Sequence, residues 1–353
     1  MTGFGLVIGQ AWKIGGLEKQ AALLARELHK RGIGVMLFIS GPIRGFRISG
    51  ALDLDPIPWK HLYHISHFPL ISHRLLRYYC RRYGISHLVA FNTENAEIAV
   101  ASKIEAKIAM NVRGMRFLTN PSLAERCKKA ASSCECTITN SENTANLLQK
   151  SGIVSDEKIK VINNGIALPD TEPPQNEKVV LYVGSIKQVK DPMTFIEACR
   201  KVIAADNDVR VIMAGNGDMR PLVESYIADN GLEAHFTLLG EVPFSKIPYG
   251  KASVYVNSSL SESSSNSLLE ALSYGIPSVA TANSGNSCIL SGLEHHKLVP
   301  ISNSDEMAEA IKLLLDTDAE TRKKIFEESR RLIQKRYSIS RMVDEYIETL
   351  LSL

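Results

Sequence analysis

The sequence has no long uninterrupted run of apolar residues. None of its hydrophobic stretches approaches the ~20 residues that a membrane-spanning helix requires. The N-terminal segment MTGFGLVIGQAW has no basic residue before its short apolar stretch, so it predicts a buried strand rather than a signal peptide. We therefore expect a cytoplasmic protein, and the inner face of the membrane stays open as its place of action.

Cysteine pairs with metal-binding spacing are also missing. The six cysteines include no Cys-x-x-Cys pair, and the two nearest, Cys134 and Cys136, have no histidine nearby. The Asp-x-Asp spacing of LDLDP (Leu52–Pro56) falls between candidate elements, where a surface loop is expected rather than a metal clamp. We expect neither a metal nor a bound cofactor.

The glycine pattern of a nicotinamide dehydrogenase is absent. Such an enzyme requires Gly-x-Gly-x-x-Gly after its first strand and an acidic residue at the end of its second. Here the first loop reads GQAWKIGGLE and the second candidate strand ends in FISG. This class of oxidoreductase is therefore excluded.

What the sequence does contain is a repeated alternation of buried strands and amphipathic helices. With 353 residues, 44% hydrophobic and 22% charged, the chain is large enough for two globular domains. Val- and Ile-rich runs alternate with helical segments in both halves, as in parallel βαβ units. A polar stretch with three prolines, Ile166–Lys178, separates the halves. We predict an N-terminal domain over 1–168, a C-terminal domain over 169–338 and a final helix over 339–353 that packs toward the N-terminal domain.

Charge is distributed unevenly along the chain. Residues 1–170 carry 22 Lys and Arg against 13 Asp and Glu, whereas residues 171–353 carry 19 against 25. A basic domain suits a lipid-phosphate acceptor, an anionic membrane or nucleic acid, although a solvated surface explains it equally well. The segment His61–Gly84, which mixes His, Arg and aromatic residues, predicts either peripheral membrane contact or a helix with a basic solvent face. No nucleic-acid motif accompanies it, so no nucleic-acid partner is expected.

The strongest local pattern is SSLSESSSNSLLEALSYGIPSVAT, Ser258–Thr281. A strand ends near Val256, Glu262 lies in a serine-rich loop, and Glu270 lies one turn into a helix that begins near Asn266. Two carboxylates can each accept hydrogen bonds from the vicinal hydroxyls of a sugar, and free amides at a helix start favour phosphate. The alternative is that Glu262 is simply solvated and Glu270 simply favours the helix.

The spacing of Glu262 and Glu270 resembles the Glu-x7-Glu motif of retaining GT-B glycosyltransferases, in particular family four. Similar segments occur along nearly the whole chain: GGLEKQAALLARELHKRG from Gly15, LYVGSIKQVKDPMTFIEA from Leu181 and VIMAGNGDMRPLVE from Val211. The resemblance implies the GT-B fold, in which two Rossmann-like doubly wound α/β domains face a central cleft. It also implies a retaining, metal-independent hexosyltransferase that uses a nucleotide-sugar donor, UDP-sugar before GDP-mannose, and a glycan or lipid-linked acceptor.

The resemblance further implies roles for individual residues. Glu270 is expected to bind the ribose, Glu262 the donor sugar, and Lys190 the diphosphate, where it stabilises the departing nucleoside diphosphate. Glu262, Lys190 and Arg113 form the predicted catalytic set. The other predicted donor-binding residues are Gly15, Gly16, Ser185, Lys187, Gly215, Gly217, Val242, Ser264, Ser265, Asn266 and Ser267.

Three positions depart from the family pattern. Ser185 replaces the usual Arg of the phosphate segment, Ser263 and Ser264 replace a Gly-Phe pair, and Arg113 replaces a His of the N-terminal domain. A guanidinium cannot act as a general base, although it can bind a phosphate or an acceptor hydroxyl. A catalytically impaired nucleotide-binding or scaffold protein is therefore the alternative.

Overall fold

The chain divides into two compact units. The computed structural model describes residues 3–10, 15–41, 54–63, 69–175 and 177–353. The first unit comprises Met1–Gly165 together with Ile339–Leu353, and the second comprises Ile166–Ser338. The chain thus enters the second unit at the start of the predicted linker, whose described residues form no helix and, apart from a single bridge from Ile166 to Ser338, no strand pairing.

The first unit contains a seven-stranded, all-parallel sheet in the order β3-β2-β1-β4-β5-β6-β7. Its strands are β1 (Gly3–Ile8), β2 (Gly34–Ile39), β3 (Trp59–His61), β4 (Ile85–Phe91), β5 (Lys107–Val112), β6 (Cys136–Thr139) and β7 (Ile159–Val161). Its helices before the linker are α1 (Gly16–Lys30), α2 (Pro69–Arg82), α3 (Thr93–Ala101), α4 (Pro121–Ser132) and α5 (Glu142–Lys150).

The second unit contains a six-stranded, all-parallel sheet in the order β10-β9-β8-β11-β12-β13. Its strands are β8 (Val179–Val183), β9 (Arg210–Ala214), β10 (Phe236–Gly240), β11 (Val254–Asn257), β12 (Ser278–Thr281) and β13 (Lys297–Val299). Its helices are α6 (Pro192–Ala205), α7 (Arg220–Asp229), α8 (Asn266–Ser273), α9 (Ser284–Leu290), α10 (Ser304–Leu315) and α11 (Ala319–Arg336).

Both sheets are buried on their two faces, which explains why their strands are continuously apolar. Along β1, Phe4 and Leu6 pack into the core on one face, whereas Val7 packs into the core on the other. In β8, Val180 and Leu181 divide in the same way between two cores. The predicted pair of doubly wound, Rossmann-like domains is confirmed.

The last helix, α12 (Ile339–Leu351), belongs to the first unit. Its apolar side chains recur with helical spacing, and Met342, Val343 and Tyr346 are buried in the same core as β1 and α1. The backbone of Gly165 lies close to this helix. A Cβ on Gly165 would be 3.1 Å from the Met342 side chain. The chain therefore returns to its first domain after completing the second.

Several elements differ from the sequence-based expectation. The apolar pattern predicts a helix over Ala96–Ile104. Helix α3 instead begins at Thr93, because the Asn92 side chain accepts a hydrogen bond from the Asn95 amide and caps the helix there. The three-residue strands β3 and β7 are too short to show any periodicity. Among the described residues, every helix is too short or too polar to cross a bilayer.

Candidate active site

The site begins at the carboxyl ends of β8 and β11, where the strand order of the second sheet reverses. In doubly wound sheets ligands bind at such a switch point, because the loops from the two central strands diverge there. The Leu260 amide donates to the Val189 carbonyl at 2.9 Å, and Ser258 Oγ donates to the Lys190 carbonyl at 2.8 Å. The loops after β8 and β11 are therefore bonded to each other.

These two loops bring Lys190 and Glu262 into direct contact. Lys190 Nζ lies 2.5 Å from Glu262 Oε1, and Ser259 Oγ donates to the same oxygen at 2.8 Å. The Glu262 side chain is only 11% exposed, compared with 26% for Lys190. The partly buried ammonium group of Lys190 can exchange its carboxylate partner for a phosphate, because both anions offer it a charged oxygen acceptor.

Lys190 lies immediately before the start of α6. Asp191 caps this helix, with its carboxylate accepting from the Thr194 amide at 3.4 Å and the Thr194 hydroxyl at 2.8 Å, and Pro192 occupies the first helical position. The sequence pair Asp191-Pro192 is typical of a cap and a first helical residue, and it predicts this helix start correctly. Nearby, Ser185 is half-buried and Lys187 is exposed.

Glu270 is buried in α8, the helix that Ser265 caps by accepting from the Leu268 amide. Tyr249 donates its hydroxyl proton to Glu270 Oε2 at 2.7 Å. Burial, together with the negative charge of Glu270, holds the pKa of Tyr249 well above its usual value, so its hydroxyl remains a donor. The sequence-based analysis missed Tyr249, since nothing near Glu270 in the chain points to it.

A buried tyrosine, Tyr255, contacts the start of α8. Tyr255 donates to Ser267 Oγ at 2.8 Å, and Ser267 Oγ lies 3.3 Å from Ser265 Oγ. Burial raises the pKa of Tyr255, and the charges of both Glu262 and Glu270 raise it further. The hydroxyls of Tyr255, Ser267 and Ser265 thus form a short chain at the start of the helix that carries Glu270. Ser264 and Asn266, at the same helix start, are half-buried.

The predicted glycines of the C-terminal domain permit close backbone packing. Gly215 has φ +144°, and a Cβ there would lie 1.8 Å from the Gly184 carbonyl oxygen. A Cβ on Gly217 would lie 2.1 Å from the carbonyl oxygen of Ile186. The loop after β9 can therefore lie directly against the loop after β8 only because Gly215 and Gly217 have no side chains. Val242, after β10, is half-buried.

Gly15, Gly16 and Arg113 belong to the N-terminal domain. Gly15 caps α1, and its amide donates to the Glu18 carboxylate at 3.0 Å; burial raises the pKa of Glu18. Gly16 is the exposed first residue of the same helix.

Arg113 joins the end of β5 to the terminal helix. Its Nε donates to Asn111 Oδ1 at 2.8 Å, its Nη1 to Asn164 Oδ1 at 2.5 Å and its Nη2 to the Tyr346 hydroxyl at 3.2 Å. Of the predicted catalytic set, Lys190 and Glu262 are in contact, whereas Arg113 takes part in a separate hydrogen-bond network within the first unit.

No cluster of three or more His, Cys, Asp or Glu side chains with metal-binding geometry occurs in the described part of the chain. In the LDLDP segment, Asp53 lies outside the described residues and Asp55 lies in a turn.

Two family models match the two halves of the chain. A model described as Glycosyltransferase Family 4 matches residues 14–168, and one described as Glycosyl transferases group 1 matches residues 167–332. Their junction coincides with the entry into the second unit.

Characterised proteins with similar sequences are glycosyltransferases. The chain is 23% identical over 350 residues to the lipopolysaccharide core biosynthesis glycosyltransferase LpsE of Rhizobium meliloti, covering 96% of this chain and 97% of LpsE. It is 30% identical over 169 residues to alpha-D-kanosaminyltransferase of Streptomyces kanamyceticus, covering 47% of this chain. That match spans 44% of the kanosaminyltransferase, so the chain corresponds to less than half of this relative's length.

Solved structures share the complete fold. Anabaena Alr3699/HepE, crystallised with UDP and glucose, superimposes with a TM-score of 0.84 at 17% identity over 100% of both chains. S. aureus TarM superimposes with a TM-score of 0.83 at 13% identity, over 99% of this chain and 100% of that one. The chain therefore matches a Glycosyltransferase Family 4 model over its first half and a Glycosyl transferases group 1 model over its second half, and it has the GT-B fold of these solved structures.

Proposed function

We propose that this protein is a retaining, metal-independent hexosyltransferase of polysaccharide or glycolipid biosynthesis. Its donor is a nucleotide sugar, a UDP-sugar in preference to GDP-mannose, and its acceptor is a glycan or a lipid-linked saccharide. It needs no cofactor, because the donor is a co-substrate and Lys190 supplies positive charge for the diphosphate. The UDP bound in the Alr3699/HepE structure supports the preference for a uridine nucleotide over a guanosine nucleotide in the donor.

One observation carries the proposal: the contact of Lys190 with Glu262 at the switch point of the second sheet. Lys190 precedes a capped helix start, an environment that favours phosphate oxygens. Glu262 lies in the loop that leads into the helix carrying Glu270, and we place the sugar of the donor toward Glu262 and its ribose toward Glu270. On donor binding, Lys190 exchanges the Glu262 carboxylate for the diphosphate, and Glu262 accepts sugar hydroxyls.

In the reaction, the bond between the anomeric carbon and the diphosphate oxygen breaks, and a bond from that carbon to the acceptor oxygen forms on the same face. The acceptor's proton passes to the leaving phosphate oxygen. Lys190 stabilises the negative charge that develops on the leaving group. The remaining residues act by orienting donor and acceptor, so no nucleophile from the protein is required.

Nucleotide binding and turnover test this function together. UDP should raise the free energy of unfolding by about 2.7 kcal/mol at 100 times its Kd, and NAD should have no effect. Glu262→Gln and Glu270→Gln should lower transfer from UDP-sugars by about 100-fold and leave a measurable residual activity, whereas Glu294→Gln, at an exposed position of the same domain, should leave transfer unchanged. Nucleotide binding with equal background turnover in wild type and both site variants would favour the scaffold alternative, for which Ser185 and Arg113 are the motivation.

We further propose that α2 contacts an anionic membrane surface. Leu70 and Tyr78 are 65% and 59% exposed on this helix. Tyr78 also lines a shallow cavity of about 420 Å³ with four arginines, Arg74, Arg77, Arg81 and Arg82. Exposed apolar and cationic side chains on one helix suit a bilayer interface. Residues 64–68, which precede α2 in the His61–Gly84 segment, lie outside the described residues.

Vesicle flotation tests this contact. The protein should float with vesicles that contain phosphatidylglycerol and not with pure phosphatidylcholine, and a double Arg74→Gln, Arg82→Gln variant should lose flotation while keeping nucleotide binding. Equal flotation of wild type and variant would contradict the role of α2.

A further inference from the structure

The loop that carries Glu262 is held by residues at and just after the end of the next strand, β12. Thr281 Oγ1 donates to the Ser259 carbonyl at 2.5 Å, and Asn283 Nδ2 donates to the same oxygen at 2.9 Å. Both side chains and Ser259 itself are buried. A carbonyl oxygen has two lone pairs, and here each accepts one hydrogen bond. The orientation of the Ser259 peptide is therefore determined by Thr281 and Asn283.

A second set of hydrogen bonds extends from the same region to α8. Asn286 Nδ2 donates to Asn257 Oδ1 at 3.1 Å and to the Thr281 carbonyl at 3.0 Å. Asn257 in turn donates from Nδ2 to Ser265 Oγ at 2.9 Å, and its Oδ1 accepts from the Ser259 amide at 3.2 Å. The two ends of the Glu262 loop are thus tied to one buried polar network.

Helix α9 also packs directly against Glu262. A Cβ on Gly285 would lie 2.5 Å from the Glu262 carbonyl oxygen and 2.9 Å from the Glu262 Cβ. Since real Cβ atoms do not approach so closely, only glycine allows the first turn of α9 to support this backbone.

We propose that Asn283 is a positioning residue for the transfer reaction, an inference that rests on the function proposed above. Asn283 fixes the Ser259 carbonyl, Ser259 Oγ fixes Glu262 Oε1, and Glu262 meets Lys190. The two ends of the Asn283 amide have separable tasks. Its Oδ1 accepts from the Asn286 amide and caps α9, whereas its Nδ2 holds the loop.

The substitution Asn283→Asp separates these tasks, because Asp remains a good helix cap and loses the donor. Asn283→Ser, which also caps, is a second variant in case the buried carboxylate impairs folding. Asn303→Asp is the matched control, since Asn303 caps α10 by the same bond to the Glu306 amide. We expect kcat to fall about tenfold in the Asn283 variants, with the donor KM changed less than about threefold, and no change in the control.

Coupling to Glu262 distinguishes positioning from a general structural effect. If Asn283 acts through Glu262, Asn283→Asp should lower the residual activity of the Glu262→Gln enzyme by less than about twofold. A full tenfold decrease in that background would overturn the proposal.

Hydrogen exchange gives a readout that does not depend on activity. Amides of residues 259–262 should exchange about tenfold faster in both Asn283 variants than in wild type or Asn303→Asp, because the loop loses a bond that holds it closed. If wild type shows no transfer, the proposed function fails, and exchange rates still decide whether Asn283 holds the loop. Unchanged exchange in both Asn283 variants would overturn the positioning role even if transfer is robust.

Discussion

Lys190 Nζ lies 2.5 Å from Glu262 Oε1, so the cation proposed for the donor diphosphate is held by the carboxylate proposed for the donor sugar. The pair is formed by loops that follow two adjacent parallel strands, β8 and β11. Because Ser259 also donates to Glu262, the carboxylate keeps one partner when the lysine leaves. The arrangement lowers the cost of exchanging the ion pair for a substrate.

Replacing Lys190 tests its role in leaving-group stabilisation. Lys190→Met should lower kcat/KM for a UDP-sugar by about 100- to 1,000-fold, because no other described cation contacts Glu262 and the leaving diphosphate loses a positive charge. Lys251→Met, at an exposed position of the same domain, is the control. Steady-state kinetics with both variants measure the effect, and equal kcat/KM would refute this role.

Tyr249 should orient Glu270 for nucleotide binding. Tyr249→Phe removes the 2.7 Å hydrogen bond to a buried carboxylate, so we expect a stability loss of about 1–2 kcal/mol and about fivefold weaker UDP binding. Tyr274→Phe is the control, because this ring stacks on Tyr249 at a centroid distance of 5.1 Å. Calorimetric titration with UDP that gives the same Kd for all three proteins would argue against an orienting role.

The backbone at Gly215 should tolerate no side chain. Gly215→Ala should destabilise the protein by more than about 3 kcal/mol, because the new Cβ would collide with the Gly184 carbonyl and the residue has positive φ. Gly231→Ala provides the comparison: its φ is +64°, yet no atom lies within 4 Å of the added Cβ, so we expect about 1 kcal/mol. Urea unfolding measures both, and similar losses would contradict the steric explanation.

Arg113 offers a test between a catalytic and a structural role. Its three hydrogen bonds join Asn111, Asn164 and Tyr346, so Arg113→Met should destabilise the protein by about 1–3 kcal/mol. Tyr346→Phe removes one member of the same network and should cost less. Unfolding curves for both variants measure these losses. Full stability of Arg113→Met combined with loss of transfer would instead support the catalytic role predicted from the sequence.

His296 should make stability depend on pH. Burial lowers its pKa to about 3, and its Nδ1 accepts from the Ser278 amide while Nε2 lies 2.9 Å from Ser329 Oγ. The native state therefore keeps this histidine neutral at pH values where the unfolded chain binds a proton. Between about pH 6.5 and 3, the free energy of unfolding should fall by up to about 1.4 kcal/mol per pH unit as pH decreases. His296→Gln should show a shallower dependence in urea titrations from pH 7 to 5, and a slope equal to that of wild type would contradict this explanation.

Several elements of both domains were predictable because their determinants are local. The apolar runs Cys136–Thr139 and Val179–Val183 predict strands with the observed bounds, and the final helix predicted over 339–353 is observed over Ile339–Leu351. Asp191-Pro192 marked the start of α6, because capping depends only on neighbouring residues. The spacing of Glu262 and Glu270 is likewise visible in the sequence alone, and their roles stay a prediction.

The amino-acid sequence by itself thus determined the alternation of strands and helices, the two-domain organisation and the pair of acidic residues at one helix start. Tertiary structure decided which side chains meet: Tyr249 with Glu270, Asn283 with the Ser259 carbonyl, and Arg113 with Tyr346, which is 233 positions away. Local periodicity and capping carry no information about such pairs, because separate strands and loops become neighbours only when the sheet assembles.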